Sequence, residues 1–157
     1  LMGGVSDTEF APDVNMNRAM LVTMLYRLEG SPEVETAVSD VFTDCADGEW
    51  YADAVIWANA NGIVEGRSET EFAPNDTMTR QEMAAILYRY EVFKGAEEVE
   101  AAELEYADAD AIADWAESAV VYCTDAGLMS GVSDTEFAPA GSATRAMGAT
   151  VLMRLAA

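Results

Sequence analysis

The chain has 157 residues, of which 51% are apolar, so it is long enough and hydrophobic enough to fold around a core. Eight basic residues against 29 acidic ones leave a formal net charge of −21, which repels phosphate groups and excludes nucleic acid as a partner. The absence of histidine removes the usual general base, metal ligand and catalytic-triad partner, and no apolar run approaches the roughly 18 residues of a membrane span.

Residues 1–30 hold a loop followed by one predicted helix. Its apolar side chains recur at helical spacing along one face and are Leu21, Met24, Leu25 and Leu28. Gly30 and Pro32 end the helix, and an acidic linker covers residues 31–40.

Residues 41–93 form a longer unit with two predicted helices. The first begins near Trp50 and is closed by Gly62. The second follows Thr79, which forms a capping box with Glu82, and it carries an apolar stripe of Met83, Ile86, Leu87 and Tyr90.

A charged linker at residues 94–105 leads to a third unit, residues 106–157, with the same pattern. Trp115 and Gly127 stand where Trp50 and Gly62 stand in the second unit. Val151, Leu152 and Leu155 continue the helical stripe, while Gly148 is expected to weaken its first turn.

The three units are an internal repeat. Phe72 lies 62 residues after Phe10, and Phe137 lies 65 residues after Phe72, with the same offsets for the arginines that follow them. A fixed period held through loop and helix indicates a repeat architecture. The first unit lacks its opening half, so one helix stripe should be uncovered; we expect an upstream segment or a neighbouring chain to complete it.

Six of the eight basic residues occupy two repeat-locked positions. Arg27, Arg89 and Arg154 are expected near helix C-termini, where the helix dipole favours a cation. The other set follows the N-cap, where a cation is unfavourable, and consists of Arg18, Arg80 and Arg145. Either a carboxylate of the chain offsets that cost, or an external anion binds there with the free backbone N–H groups.

Other repeated residues have a structural and a functional interpretation. Trp50 and Trp115 are expected in the core, with stacking on a sugar as the alternative. Gly4, Gly66 and Gly131 are expected to adopt positive φ, and they could also let a ligand approach the backbone. Cys45 and Cys123 occupy non-equivalent positions, and free thiols are favoured over a disulfide.

The combination of motifs resembles the S-layer homology (SLH) repeat of bacterial surface proteins. The residues that carry the resemblance are the Phe42-Thr43-Asp44 start, the tryptophan helix ending at Gly62, Gly66, Phe72-Ala73-Pro74 and Thr79-Arg80-Gln81-Glu82. The resemblance implies an all-α, pseudo-threefold SLH bundle, or spindle, with projecting loops and an incomplete first repeat.

The resemblance also implies a function, that of a non-catalytic module with no cofactor. It would anchor a protein to the bacterial cell wall or S-layer by binding secondary cell-wall polysaccharide between repeats. A pyruvylated amino sugar would supply the anion. The ligand-binding residues implied are Arg18, Arg80, Arg145, Trp50, Trp115, Gly66 and Gly131. An adhesin that binds a protein partner on the same scaffold is the alternative.

The first and third repeats depart from the motif at one position. Met20 and Met147 stand where the second repeat has Glu82. If that glutamate only caps the helix, its loss leaves binding intact. If it orients the arginine, only the second repeat keeps a full site.

Overall fold

The computed structural model describes residues 1–157 and contains five α-helices and no β-strand, which confirms the all-α prediction. The helices are α1 (Arg18–Leu28), α2 (Ala52–Ala60), α3 (Arg80–Phe93), α4 (Glu117–Asp125) and α5 (Arg145–Ala156). Short 3-10 turns at Val38–Asp40, Ala109–Ala111 and Asp114–Ala116 precede α2 and α4.

The long helices α1, α3 and α5 begin with the same cap. The side chains of Asn17, Thr79 and Thr144 accept a hydrogen bond from the third residue of the helix, as N-caps do. The capping box expected at Thr79 is only half formed, because the carboxylate of Glu82 binds Arg67 instead of reaching back to the cap.

The helices pack across repeat boundaries. Helix α1 packs on α2, and α3 packs on α4, so the long helix of one repeat covers the short helix of the next. Helix α5 contacts α1 but has no short helix on its other side. Met153 is 66% exposed, but Val151 and Leu152 of the predicted apolar stripe are buried, so that stripe is not uncovered as expected.

Three backbone bridges join the repeats around the centre of the bundle. They pair Asn15 with Thr144, Asn17 with Thr77, and Thr79 with Ser142. Each repeat thus pairs with both others immediately before its long helix. This closed arrangement agrees with the pseudo-threefold bundle that the resemblance implies.

Gly148 makes room for a buried side chain in the core at this junction. A Cβ there would lie 2.3 Å from the sulfur of Met16. Met16 is fully buried, so the residue expected to weaken α5 instead makes room for a long side chain from the first repeat.

Aspartates at the start of the second and third repeats hold the loops that follow the short helices. Asp44 accepts hydrogen bonds from the backbone N–H groups of Phe72 and Ala73, at 2.9 and 2.7 Å. Asp108 does the same for Phe137 and Ala138. Burial alone would raise the pKa of each carboxyl, but these hydrogen bonds outweigh it and lower the pKa.

Both cysteines are buried free thiols, as favoured from the sequence. Burial raises the pKa of Cys45 and of Cys123 to about 12, so neither is a reactive thiolate near neutral pH. No helix combines the length and the apolar composition needed to cross a bilayer.

Candidate functional site

The three arginines at the helix starts are buried, with exposures of 5–6%. Each reaches from its own repeat into the loop of the next one, so the three contacts together form a ring around the bundle. The Nε group donates to the carbonyl oxygen of the loop phenylalanine, at 2.9–3.0 Å, in the pairs Arg18–Phe72, Arg80–Phe137 and Arg145–Phe10. The guanidinium carbon also lies 4.7–4.9 Å from the centre of that ring.

A second nitrogen of each guanidinium donates to a carbonyl beside the repeat-locked glycine. Nη2 of Arg80 lies 2.6 Å from the oxygen of Ser130, and Nη2 of Arg145 lies 2.6 Å from that of Gly3. Nη2 of Arg18 donates to Glu65 in the same way. Backbone carbonyls, not carboxylates, are therefore the direct partners of these cations.

The expectation of free backbone N–H groups at the helix starts is wrong. In α1 the N–H of Arg18 donates to Asp76, that of Ala19 to Pro74, and that of Met20 to the Asn17 side chain. The other two long helices repeat this pattern. Any anion at this position must therefore bind the guanidinium and not the helix terminus.

Each guanidinium keeps donors that the loop does not use. Nη1 of Arg18 has no hydrogen-bond partner within the chain. Nη1 of Arg80 and of Arg145 meets only a methionine sulfur, at 3.5 and 3.9 Å, and sulfur is a weak acceptor. Burial lowers the pKa of Arg18 and Arg80, but an arginine stays protonated in proteins.

Two equivalent grooves open beside these arginines. The first groove has a volume of about 460 Å³ and is lined by Gly4, Val5, Met20, Met24, Arg27, Trp50 and Arg145, with residues 1–3. The second groove, of about 180 Å³, is lined by Gly66, Arg67, Glu82, Ile86, Arg89, Trp115 and Arg18, with neighbouring residues. Each groove combines a glycine loop, the long helix of the same repeat, the tryptophan of the next repeat and the arginine of the preceding one.

The two repeat-locked tryptophans are not in the core. Trp50 is 53% exposed and Trp115 is 59% exposed, so the expectation that they pack inside is wrong. Each precedes its short helix and stands at the edge of a groove. Trp57, inside α2, is the buried one, packing against Tyr26 and Phe93.

The glycines serve close approach and not positive φ. Gly4, Gly66 and Gly131 all have negative or extended φ. A Cβ on Gly66 would lie 2.4 Å from the carbonyl oxygen of Ser68, and one on Gly131 would lie 2.5 Å from that of Ser133. Positive φ falls instead on the alanines after each loop phenylalanine, Ala11, Ala73 and Ala138.

The arginine and the glutamate of the Thr79–Glu82 motif lie at different places. Glu82 faces the second groove together with Arg18, while Arg80 reaches the loop that holds Gly131. Glu82 therefore does not orient the arginine of its own motif. Arg80 and Gly131 form the third equivalent position, beside α5, where no tryptophan stands.

Sequence reasoning missed that Arg27 and Arg89 of the second arginine set line the two grooves. Arg27 and Arg154 lie in the last turn of their helices, as expected, and each also donates to a loop carbonyl. Arg89 differs, because α3 continues to Phe93 and its guanidinium makes no hydrogen bond or ion pair. The strict repetition of this arginine position was the sequence signal that could have identified these groove residues. No group of three or more histidine, cysteine or acidic side chains has the geometry of a metal site.

Comparison with known proteins identifies the family of the chain. A model of the S-layer homology domain matches residues 41–84 and 105–146. The chain is 35% identical over 156 residues to an amylopullulanase of Thermoanaerobacterium thermosulfurigenes, covering 99% of this chain and 8% of that protein. It is 34% identical to a surface-layer 125 kDa protein of Lysinibacillus sphaericus, covering 82% of the chain and 10% of the relative.

A third relative, a cellulosome-anchoring protein of Acetivibrio thermocellus, is 24% identical over 92% of the chain and 33% of its own length. The chain thus spans between about a twelfth and a third of the lengths of these relatives. The resemblance and the cell-surface placement predicted from the sequence are confirmed. The chain is a cell-surface module and belongs to the S-layer homology domain family, whose domains are non-catalytic and anchor surface proteins to the cell wall.

Proposed function

We propose that the chain holds a larger protein on the bacterial wall by binding an acidic secondary cell-wall polysaccharide in the grooves between repeats. The observation that carries the proposal is the repetition of one set of groups in two grooves. Each set has a buried arginine, a glycine loop and an exposed tryptophan. Half-exposed tryptophans at the rims of arginine-lined clefts are unusual for residues whose only role is packing.

Each group would make a different contribution to sugar binding. The open edges of Arg145 and Arg18 would donate to an anionic group such as the ketal carboxylate of a pyruvylated amino sugar. Trp50 and Trp115 offer flat apolar faces for the sugar ring. Gly66 lets the loop fold tightly at the edge of the groove, because a Cβ there would meet the carbonyl oxygens of Ser68 and Glu71.

Arg80 and Gly131 supply the same arginine and glycine pair at the third position. We propose that this pair also binds the polysaccharide.

The charge of the molecule defines the kind of attraction required. With a net charge of −21, the long-range field repels an acidic polymer, so binding must come from short-range contacts inside the grooves. Salt screens the exposed charges more than the buried arginines. We expect retention on the polymer to survive 0.3 M salt.

A co-sedimentation assay on purified wall polysaccharide tests the proposal. Replacing Trp50 and Trp115 together by alanine should abolish retention, because it removes the stacking surface from both grooves. Both side chains are exposed, so their loss leaves the core intact. Met153→Ala, at the most exposed methionine away from both grooves, is the matched control and should be retained. Full retention of the double tryptophan variant would contradict the proposal, and tight binding to a protein partner by a chain that ignores the polymer would favour the adhesin alternative.

A further inference from the structure

The two grooves correspond position by position but differ in several lining side chains. Offsets of 62 to 65 residues relate Arg27 to Arg89 and Trp50 to Trp115. One difference is a pair of side chains that faces the cleft, one from the loop and one from the helix. It is Val5 with Met20 in the first groove and Arg67 with Glu82 in the second.

In the second groove this pair forms an ion pair. Nη2 of Arg67 lies 3.2 Å from Oε2 of Glu82, and its Nε lies 3.6 Å from the carboxylate of Asp76. The side chain of Glu82 is 24% exposed and that of Arg67 is 41% exposed. The carboxylate therefore lies deeper in the cleft, and the cation that neutralises it lies nearer to solvent.

The first groove has no counterpart to that carboxylate. Arg27 and Arg145 line it, with no acidic side chain, and Met20 presents a sulfur 3.9 Å from Nη1 of Arg145. An anion entering the first groove meets cations and apolar surface. An anion bound to Arg18 in the second groove has the carboxylate of Glu82 beside it.

We propose that Glu82 is a specificity-determining residue that makes the grooves select different sugars, an inference that rests on the proposed function. The first groove is the stronger site for a carboxylate-bearing sugar. The second favours a sugar whose hydroxyl or amino groups donate to Glu82. Like charges within a few ångströms repel strongly in a partly desolvated cleft, and the acidic sugar should bind the first groove at least about tenfold more tightly.

The tryptophans report on each groove separately in the intact chain. Their indole N–H signals can be followed by ¹⁵N NMR and assigned with Trp50→Phe and Trp115→Phe. The probes are the methyl glycoside of an N-acetylhexosamine with a 4,6-pyruvyl ketal and the same glycoside without the ketal. The acidic probe should shift the Trp50 signal with a midpoint about tenfold below that of Trp115, and removing the ketal should reduce this ratio.

Variants that exchange the pair provide the decisive comparison. Glu82→Met should lower the Trp115 midpoint for the acidic probe, and Met20→Glu should raise the Trp50 midpoint. Arg67→Val with Glu82→Met reproduces the pair of the first groove and should bring the two midpoints closer together, with the exposed Glu65 as the remaining acidic residue of the second groove. Methionine stands at the equivalent position of both other repeats, so Glu82→Met should fold; an unchanged thermal midpoint checks this.

Two negative outcomes are distinguishable. Equal Trp50 and Trp115 midpoints in the unmodified chain, or an unchanged Trp115 midpoint in Glu82→Met, would overturn the selectivity assigned to Glu82 while leaving the proposed function in place. If neither indole N–H signal shifted with either glycoside, the selectivity and the proposed function would both be overturned.

Discussion

Asp44→Asn tests how the loops that form the grooves are held. The carboxylate of Asp44 accepts one N–H bond with each oxygen, from Phe72 and from Ala73. Ala73 has a φ of 57°, a left-handed conformation that costs about 1 kcal/mol or more for a non-glycine residue. An asparagine has a single acceptor oxygen, and its amide group would face one of the two N–H donors.

The expected loss follows from these contacts. Losing one charge-assisted hydrogen bond costs about 1.5–3 kcal/mol, and solvent exposure of Asp44 places the value near the lower end. We therefore expect a loss of about 2 kcal/mol in the free energy of unfolding at pH 7, or a fall of about 4–8 °C in Tm for a chain of this size. Differential scanning calorimetry measures both quantities.

The pH dependence has a definite sign. Because the pKa of Asp44 is lowered in the folded state from its ordinary value of 3.8, its contribution is present above that value and is lost as pH falls through the folded pKa. The difference in stability between the unmodified chain and Asp44→Asn should thus shrink at acid pH. A loss below about 0.5 kcal/mol at pH 7 would refute this account of the loop, since surface substitutions without a specific role fall in that range.

Asp108→Asn is the matched control for binding. It should cost a similar amount of stability, because Asp108 makes the same two hydrogen bonds. The carbonyl of Phe72 accepts from Arg18 in the second groove, whereas that of Phe137 accepts from Arg80 at the third position. Asp44→Asn should therefore weaken glycan binding at Trp115, and Asp108→Asn should leave it unchanged.

Three further substitutions have definite outcomes. Gly66→Ala should lower the free energy of unfolding by about 1–3 kcal/mol, measured by urea titration, because its Cβ would lie 2.4 Å from a carbonyl oxygen; Gly3→Ala, with nothing within 4 Å, should be neutral. Glu29→Gln should cost about 1 kcal/mol at pH 7. Its hydrogen bonds to Lys94 and Tyr90 lower the Glu29 pKa, so a thermal scan at pH 3 should show a smaller difference. Arg80→Lys should cost about 2 kcal/mol by calorimetry, since an ammonium cannot form the two-carbonyl bridge; an unchanged Tm would contradict that bridge.

The repeat period made much of the fold predictable from the sequence. Caps, glycine stops and apolar stripes are local signals, so the helices followed from them. The prediction that Trp50 and Trp115 lie in the core was wrong. The sequence shows that a residue at a helix start is apolar, but it does not show whether its side chain points inwards or outwards. Only the packing of each short helix against the preceding long helix decides that direction.

The partners of the arginines could not be found from the sequence for a different reason. Arg145 bonds to Phe10, which is 135 residues away, and its acceptors are backbone carbonyls, which carry no residue-specific signal. The sequence showed that something must offset a cation at a helix start, and it left a carboxylate from among 29 acidic residues and an external anion as equal candidates. The glycines illustrate the same limit, since positive φ and close approach both select glycine.

The carbonyl partners explain how one arginine can both stabilise the bundle and bind a ligand. A guanidinium has five donors in a plane, and two carbonyls from the next repeat occupy only one edge of it. A carboxylate partner would have neutralised the charge, whereas carbonyls orient the group and leave its full charge available. Because those carbonyls come from a different repeat, the arginine reaches its working position only when neighbouring repeats have docked. An isolated repeat therefore contains the motif without the partner carbonyls, and we expect the proposed glycan binding to require the closed bundle.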